Sequence, residues 1–337
     1  MGLFGLEDKI IFEDKKNDVL SVGELIIDMV ATDYSDDFSC GTFERLFGGA
    51  PANIAMNVRR LGARSMIASA VGKDVMGHFL IGKVEDAGLD PSLIERVDNS
   101  TSMVLVSRSR NTPVPIFYRD ADYHLSFGEK LEKAVRDSKI VHFSCWPLSR
   151  MPARKTIERV ITAAKENGCL VCFDPNYHDM LWEKGEDGVS YVKSIIREVD
   201  VIKPSEVDAE RLFGQNTSEN QVKKFLDLGA KLVIMTLGGE GAIVSNGKET
   251  IRFNTLASEI ADTTGAGDAF WSGFYTAAIK GYRIKDSLEL GFAVSAFKLK
   301  HVGALVNLPE LEAIGEMYGL IGTDHLEKLD FYRSNDK

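Results

Sequence analysis

Asp262-Thr-Thr-Gly-Ala-Gly-Asp-Ala-Phe270 is the stretch from which the rest of the chain can be organised. Thr263 and Thr264 can cap a helix, and Gly265-Ala266-Gly267 leaves backbone N–H groups uncovered at its start, where the helix dipole adds to their pull on an anion. Ala269, Phe270, Gly273, Phe274, Ala277 and Ala278 continue it as an apolar helix with small residues, suited to packing on a sheet. Asp268 then sits in the first turn beside the anion site, where a carboxylate is expected to stay ionised and to accept a proton. Acids in first turns also stabilise helices without doing chemistry, so the stretch alone leaves both roles open. No G-x-x-x-x-G-K-[ST] pattern is present, so a nucleotide would be held in another way.

Around this stretch, short β-branched runs alternate with helical patterns. Strands are predicted at Val19–Ile27, Met66–Val71, Ile140–Ser144, Leu170–Phe173, Val199–Ile202, Lys231–Leu237 and Ala242–Ser245, and helices at Pro51–Leu61, Ala153–Asn167, Ser218–Leu228 and Gly265–Lys280. That alternation predicts a three-layer α/β/α fold with a mostly parallel central sheet, which binds ligands at the carboxyl ends of its strands. Two stretches break the rhythm. Val30–Phe47 and Thr101–Tyr118 are strand-rich without helices, and the second reads as a hairpin about a polar turn at Arg108–Asn111. They predict a small β-sheet lid of residues 30–47 and 101–118 over a core of 19–29, 48–100 and 119–322, with terminal extensions at 1–18 and 323–337.

Composition narrows the function. With 40 Lys and Arg against 50 Asp and Glu among 337 residues, the net charge of −10 argues against nucleic-acid and anionic-membrane partners. No apolar run reaches the roughly 20 residues of a membrane span, and the charged Met1–Asp18 stretch is no signal peptide, so a cytoplasmic protein is expected. Of four cysteines, Cys169 and Cys172 form a C-x-x-C. On a strand that spacing points them to opposite faces, so they are read as buried hydrophobes rather than a metal or redox pair.

Asp262-Thr-Thr-Gly-Ala-Gly-Asp268 closely resembles the C-terminal signature of the ribokinase-like (PfkB) carbohydrate kinases. Phe47-Gly-Gly-Ala-Pro-Ala-Asn53 resembles their N-terminal signature, and the order of elements matches from about Val19 to Leu308. The resemblance implies an ATP- and Mg²⁺-dependent kinase with Asp268 as catalytic base and Gly265, Ala266 and Gly267 holding the transferring phosphoryl group. Asp28, Gly48, Gly49, Asn53 and Arg119 would bind the sugar. Asp28 is otherwise a strand-end turn residue and Asn53 a helix cap. Asn176, Lys203, Thr236, Gly238, Gly241, Gly265, Gly267 and Gly303 would bind the nucleotide. Thr236–Gly241 is otherwise a plain turn, and Lys203 stands where the family's N-x-x-E motif has Asn. Glu206 of that motif would order Mg²⁺ and its waters. The His301–Ala304 segment resembles one that lines the adenine pocket and, in some members, a potassium site. A homodimer through the lid is compatible with the resemblance.

Gly-Gly-Ala-Pro-Ala-Asn, Phe-Tyr-Arg119 and Lys-Pro-Ser-Glu look most like fructokinases, which implies conversion of fructose to fructose 6-phosphate. The rival is a 2-keto-3-deoxygluconate kinase, whose acidic substrate needs cations. Here His178 stands where relatives often carry Arg, which leans against the acid. A non-catalytic interaction protein of the same fold is the alternative from another class, and such proteins typically lose the base or the anion site that this chain keeps.

Overall fold

The structure is a computed structural model describing residues 5–34, 40–108 and 115–321. The turn read at Arg108–Asn111 lies outside the described residues from 109 onward, as does the 323–337 extension. Thirteen strands are present among the described residues: β1 (Asn17–Val22), β2 (Ile26–Tyr34), β3 (Phe43–Gly48), β4 (Ser65–Gly72), β5 (Ile94–Val97), β6 (Met103–Arg108), β7 (Pro115–Tyr118), β8 (Ser138–Ser144), β9 (Leu170–Asp174), β10 (Val201–Ile202), β11 (Leu232–Thr236), β12 (Ala242–Ser245) and β13 (Thr250–Phe253).

Nine of them form one sheet in the order β13-β12-β11-β10-β9-β8-β1-β4-β5. Pairing is parallel from β11 through to β5 and antiparallel for β11–β12 and β12–β13. Side chains alternate between two apolar layers, as a sheet covered on both faces requires. Leu20, Val141, Val171, Phe173, Val233 and Met235 enter one core, and Val19, Ile140, Leu170, Cys172, Leu232 and Ile234 the other. Cys169 and Cys172 fall in different cores, and both are free thiols. The strands that the sequence did not reveal, β5 and β13, lie at the two edges of the sheet, where Ile-Glu-Arg-Val and Thr-Ile-Arg-Phe make no continuous apolar run.

The second sheet has the order β3-β2-β6-β7, with β6 and β7 antiparallel as the hairpin pattern suggested. One expectation changes. The strand predicted at Val19–Ile27 is two strands, because the chain turns at Gly23-Glu24-Leu25 and Ile26 onward pairs with β3 and β6 instead. Asp28 therefore stands on the small sheet rather than at the end of β1.

The Ala266–Ile279 helix is buried on every side from Asp268 to Ala278, wedged between the large sheet and the Ile284–Leu299 helix. Its Trp271 is fully buried, and the indole N–H is satisfied by Asp174 Oδ2 at 2.8 Å. Truncating such a side chain to alanine costs about 3–5 kcal/mol, so this packing fixes where the helix start can point. It points to the carboxyl ends of β1, β8, β9, β10 and β11.

Candidate active site

Gly265 caps the Ala266–Ile279 helix in the left-handed conformation, φ 74°, and a Cβ there would come within 2.9 Å of the Ala304 backbone. Only glycine fits both demands. Ala266 was expected to offer its amide to an anion, but its N–H donates to the Thr263 carbonyl at 3.2 Å. The amides of Gly267 and Asp268 have no protein acceptor among the described residues and remain the donors of the turn.

Asp268 follows this turn and is buried. Its Oδ2 accepts a hydrogen bond from Asn53 Nδ2 at 2.9 Å, across 215 residues of sequence. Burial pushes its carboxyl up to about 7, partly offset by the Asn53 bond and Lys203, with Asp174 and Asp28 reinforcing the rise. The expectation that it simply stays ionised is thereby revised, because desolvation outweighs the helix dipole here. Asn53 is not a helix cap. It lies inside the Ala50–Arg60 helix, whose N-cap is Gly49, and its buried Oδ1 has no protein partner. Gly49 is at φ 110°, where a Cβ would sit 2.4 Å from the Glu24 carbonyl. Asp28 lies against Gly48, whose missing Cβ would fall 2.3 Å from Asp28 Oδ2, and burial raises the Asp28 carboxyl to about 6.

Lys203, after β10, is 5% exposed, and its ammonium pairs with Asp174 Oδ2 at 2.9 Å. It sits against the glycine turn: a Cβ on Gly267 would be 3.2 Å from Lys203 Nζ. From here a cleft of about 320 Å³ runs outward, bordered by Lys203, Thr236, Gly238, Gly241, Ala266 and Gly267 at one end. Leu256, Ala257, Ile260, Phe292, Ser295 and Leu299 line the rest. One end is thus cationic and rich in free amides, and the other apolar. The apolar wall escaped the sequence reading because its two halves are separated by some thirty residues or more. Only the small and apolar spacing Ser295, Ala296, Leu299 on one helix face hinted at it.

The exposed Glu206 opens the Glu206–Phe213 helix and faces the same cleft, its Oε1 being 3.7 Å from a Cβ built on Gly238. The described residues contain no cluster of three or more metal-ligating side chains. A lone carboxylate beside a phosphate cleft nonetheless suits Mg²⁺, which takes one or two carboxylates plus substrate phosphates and keeps waters.

The remaining expected residues do not border this cleft. Asn176 is exposed after β9 with φ 38°, the only non-glycine residue at positive φ among those described. Gly303 does not border the cleft, and its N–H donates to Asp262 Oδ2 at 2.8 Å, bracing the turn from behind. The Arg119 side chain is buried and committed to protein partners: Asp122 Oδ2 at 2.6 Å, Ser149 Oγ at 2.6 Å and the Trp146 carbonyl at 3.1 Å. His178 accepts from the Met180 N–H through Nδ1, and burial with nearby Arg211 holds it below the usual histidine range, so it is neutral at pH 7. Glu24 was not singled out beforehand. It is buried beside Asp268, accepts from the Ala50 N–H at 3.3 Å, and burial raises it to about 8.

A match to the pfkB family carbohydrate kinases runs over residues 16–311. The chain belongs to this family. It is 60% identical over 318 residues to an ATP-dependent 6-phosphofructokinase of Thermoanaerobacterium thermosaccharolyticum, covering 94% of this chain and 99% of that one. It is 29% identical over 316 residues to a 5-dehydro-2-deoxygluconokinase of Clostridium perfringens, covering 90% and 93%. The solved fructokinase of Halothermothrix orenii is 41% identical and superposes with a TM-score of 0.75, covering 83% of this chain and 99% of that one. The two-sheet, three-layer architecture is that of the ribokinase-like kinases, and the chain is a sugar kinase of the pfkB family.

Proposed function

We propose that the chain transfers the γ-phosphoryl group of ATP to a hydroxyl of a fructose-type acceptor, with fructose 6-phosphate the first reading. The observation that carries the kinase reading is the juxtaposition of a buried carboxylate, two free amides and a buried ammonium at one helix start, opening onto the cleft. ATP fits with its base against Leu256, Ile260 and Phe292 and its phosphates toward Lys203 and Gly267. Asp268 takes the proton of the attacking hydroxyl, and its carboxyl near 7 suits that transfer at neutral pH. The Gly267 and Asp268 amides and Lys203 stabilise charge on the transferring group without reorganising. Asn53 Oδ1 awaits a donor, which a sugar hydroxyl supplies, and Asp28 accepts from another. Mg²⁺ held by Glu206 would neutralise phosphate charge.

Fructose 6-phosphate comes first because the relative at 60% identity bears that activity in its name. Fructose, expected from the sequence, is the second reading, favoured by the 41% identical fructokinase. A sugar acid is the third reading, since the relative that bears one in its name is 29% identical; Arg119, spent on Asp122, offers no free cation to a carboxylate or to a sugar phosphate. The test is coupled ADP release with fructose 6-phosphate, fructose, 2-keto-3-deoxygluconate and 5-dehydro-2-deoxygluconate. Turnover of either ketose above both acids is expected. No ADP release with any of the four would return the chain to a non-catalytic role.

A further inference from the structure

Lys298 lies one residue before the end of the Ile284–Leu299 helix and is fully buried. Lysine is almost never fully buried unless paired, because desolvating an ammonium is costly. Its Nζ donates to the Asp262 carbonyl oxygen at 2.7 Å, behind the turn that precedes Asp268. The surrounding bonds all tie that turn to the same helix end. The Ala261 N–H donates to the Leu299 carbonyl at 2.7 Å, Ser295 Oγ to the Ala266 carbonyl at 3.0 Å, and the Gly303 N–H to Asp262 Oδ2 at 2.8 Å. Burial holds the Lys298 ammonium below the usual lysine range, partly offset by the Asp262 and Asp268 carboxylates, and a helix C-terminus favours a cation.

The potassium ion that the resemblance attached to this segment does not fit it. A second cation would meet the Lys298 ammonium on the Asp262 carbonyl and the Gly303 N–H turned toward Asp262. We propose that Lys298 is a positioning residue whose ammonium serves as a built-in monovalent cation, holding the 262–267 turn so that the Gly267 and Asp268 amides face the phosphoryl group. Turnover then needs no added potassium. This rests on the kinase reading above.

The experiment compares the wild type with Lys298→Met and Lys298→Gln, all freed of alkali cations in choline chloride. The wild type is expected to turn over at the same rate, within about twofold, in choline, sodium and potassium chloride at equal ionic strength. Both variants should lose at least about tenfold in kcat, with the sugar KM changed less than about threefold, and potassium or ammonium chloride should restore part of the loss. The acid limb of kcat/KM should also move to higher pH, since Asp268 loses one nearby positive charge while Asn53, Lys203, Asp174, Asp28 and Glu24 remain. Lys298→Gln keeps a donor on the carbonyl and guards against misfolding of the methionine variant. Potassium-dependent turnover of the wild type, or full kcat with an unmoved limb in Lys298→Gln, would overturn the proposal. Calorimetric binding of a non-hydrolysable ATP analogue separates the two readings. Binding weakened in Lys298→Gln and recovered in potassium chloride supports the role of Lys298 even if no sugar is turned over, whereas equal affinity in all salts overturns it.

Discussion

Replacing Asp268 by Asn should disable the enzyme and stabilise the fold, and the pH dependence of the second effect isolates its cause. In the folded chain burial raises the carboxyl from 3.8 to about 7. An acid whose folded pKa lies above its unfolded one binds more protons in the folded state between those values. Folding stability therefore falls as pH rises from about 4 to about 7 and is flat beyond. A shift of about three units corresponds to about 4 kcal/mol, a ceiling because Asp28 and Glu24 titrate in the same neighbourhood. Asn is nearly isosteric, its Oδ1 can still accept from Asn53, and it carries no charge to desolvate. The variant should thus be more stable than wild type by a few kcal/mol at pH 8 and nearly equal to it near pH 4.5. Its kcat should fall by at least about 10² with ATP-analogue affinity little changed. Thermal melts at the two pH values and coupled ADP release provide the readouts. A stability difference that is the same at both pH values, or wild-type turnover in the variant, would refute the reasoning.

Three further outcomes follow from the site. The wild-type kcat/KM should rise with pH through about 7, the value to which burial lifts Asp268, and then level; a profile flat from pH 5.5 to 8 would remove Asp268 from proton transfer. Glu206→Gln should raise the Mg²⁺ concentration for half-maximal rate with sugar affinity unchanged, and an identical Mg²⁺ titration would reduce Glu206 to a helix-start acid. Arg119→Ala should destabilise the fold by about 3–5 kcal/mol, since it strands the buried Asp122 carboxylate, and a melt within a degree of wild type would free Arg119 for substrate after all.

The parts of this molecule that could be read beforehand are those where one short segment carries both the pattern and the geometry. Gly265-Ala-Gly-Asp268 announces a helix start because glycine, dipole and acid are adjacent in sequence. The parallel sheet was legible because burial on both faces leaves continuous apolar runs such as Leu170–Phe173. The rest depends on what a residue meets in space. Ala266 loses its amide to Thr263, Arg119 its guanidinium to Asp122, and Gly303 its place in the cleft to Asp262. Lys298 reads as one more surface lysine in Phe297-Lys-Leu-Lys300 until the 262–267 turn is laid over it. The break at Gly23 is invisible because Val19–Val22 and Ile26–Val30 are equally strand-like, and only pairing with β8 or with β3 assigns them to different sheets.

The same spatial view constrains the acceptor. Asp28, Glu24 and Asp268 lie close enough that Asp28 and Glu24 each couple to Asp268, and burial lifts all three carboxyls, to about 6, 8 and 7. A polyol hydroxyl entering among them meets acceptors and protonated donors at little electrostatic cost. A carboxylate entering the same space would raise these values further or force a proton uptake, and Arg119, already neutralised by Asp122, offers it nothing. An anionic group on the acceptor must therefore project away from Asp268. In fructose 6-phosphate the phosphate and the free primary hydroxyl lie at opposite ends of the sugar, and in the two six-carbon sugar acids the C1 carboxylate and the C6 hydroxyl do so as well, so each meets that condition. The acidic floor thus favours acceptors whose anionic group lies far from the reacting hydroxyl, and the kcat/KM ratios among fructose, its 6-phosphate and the two acids report what the far end of the pocket supplies.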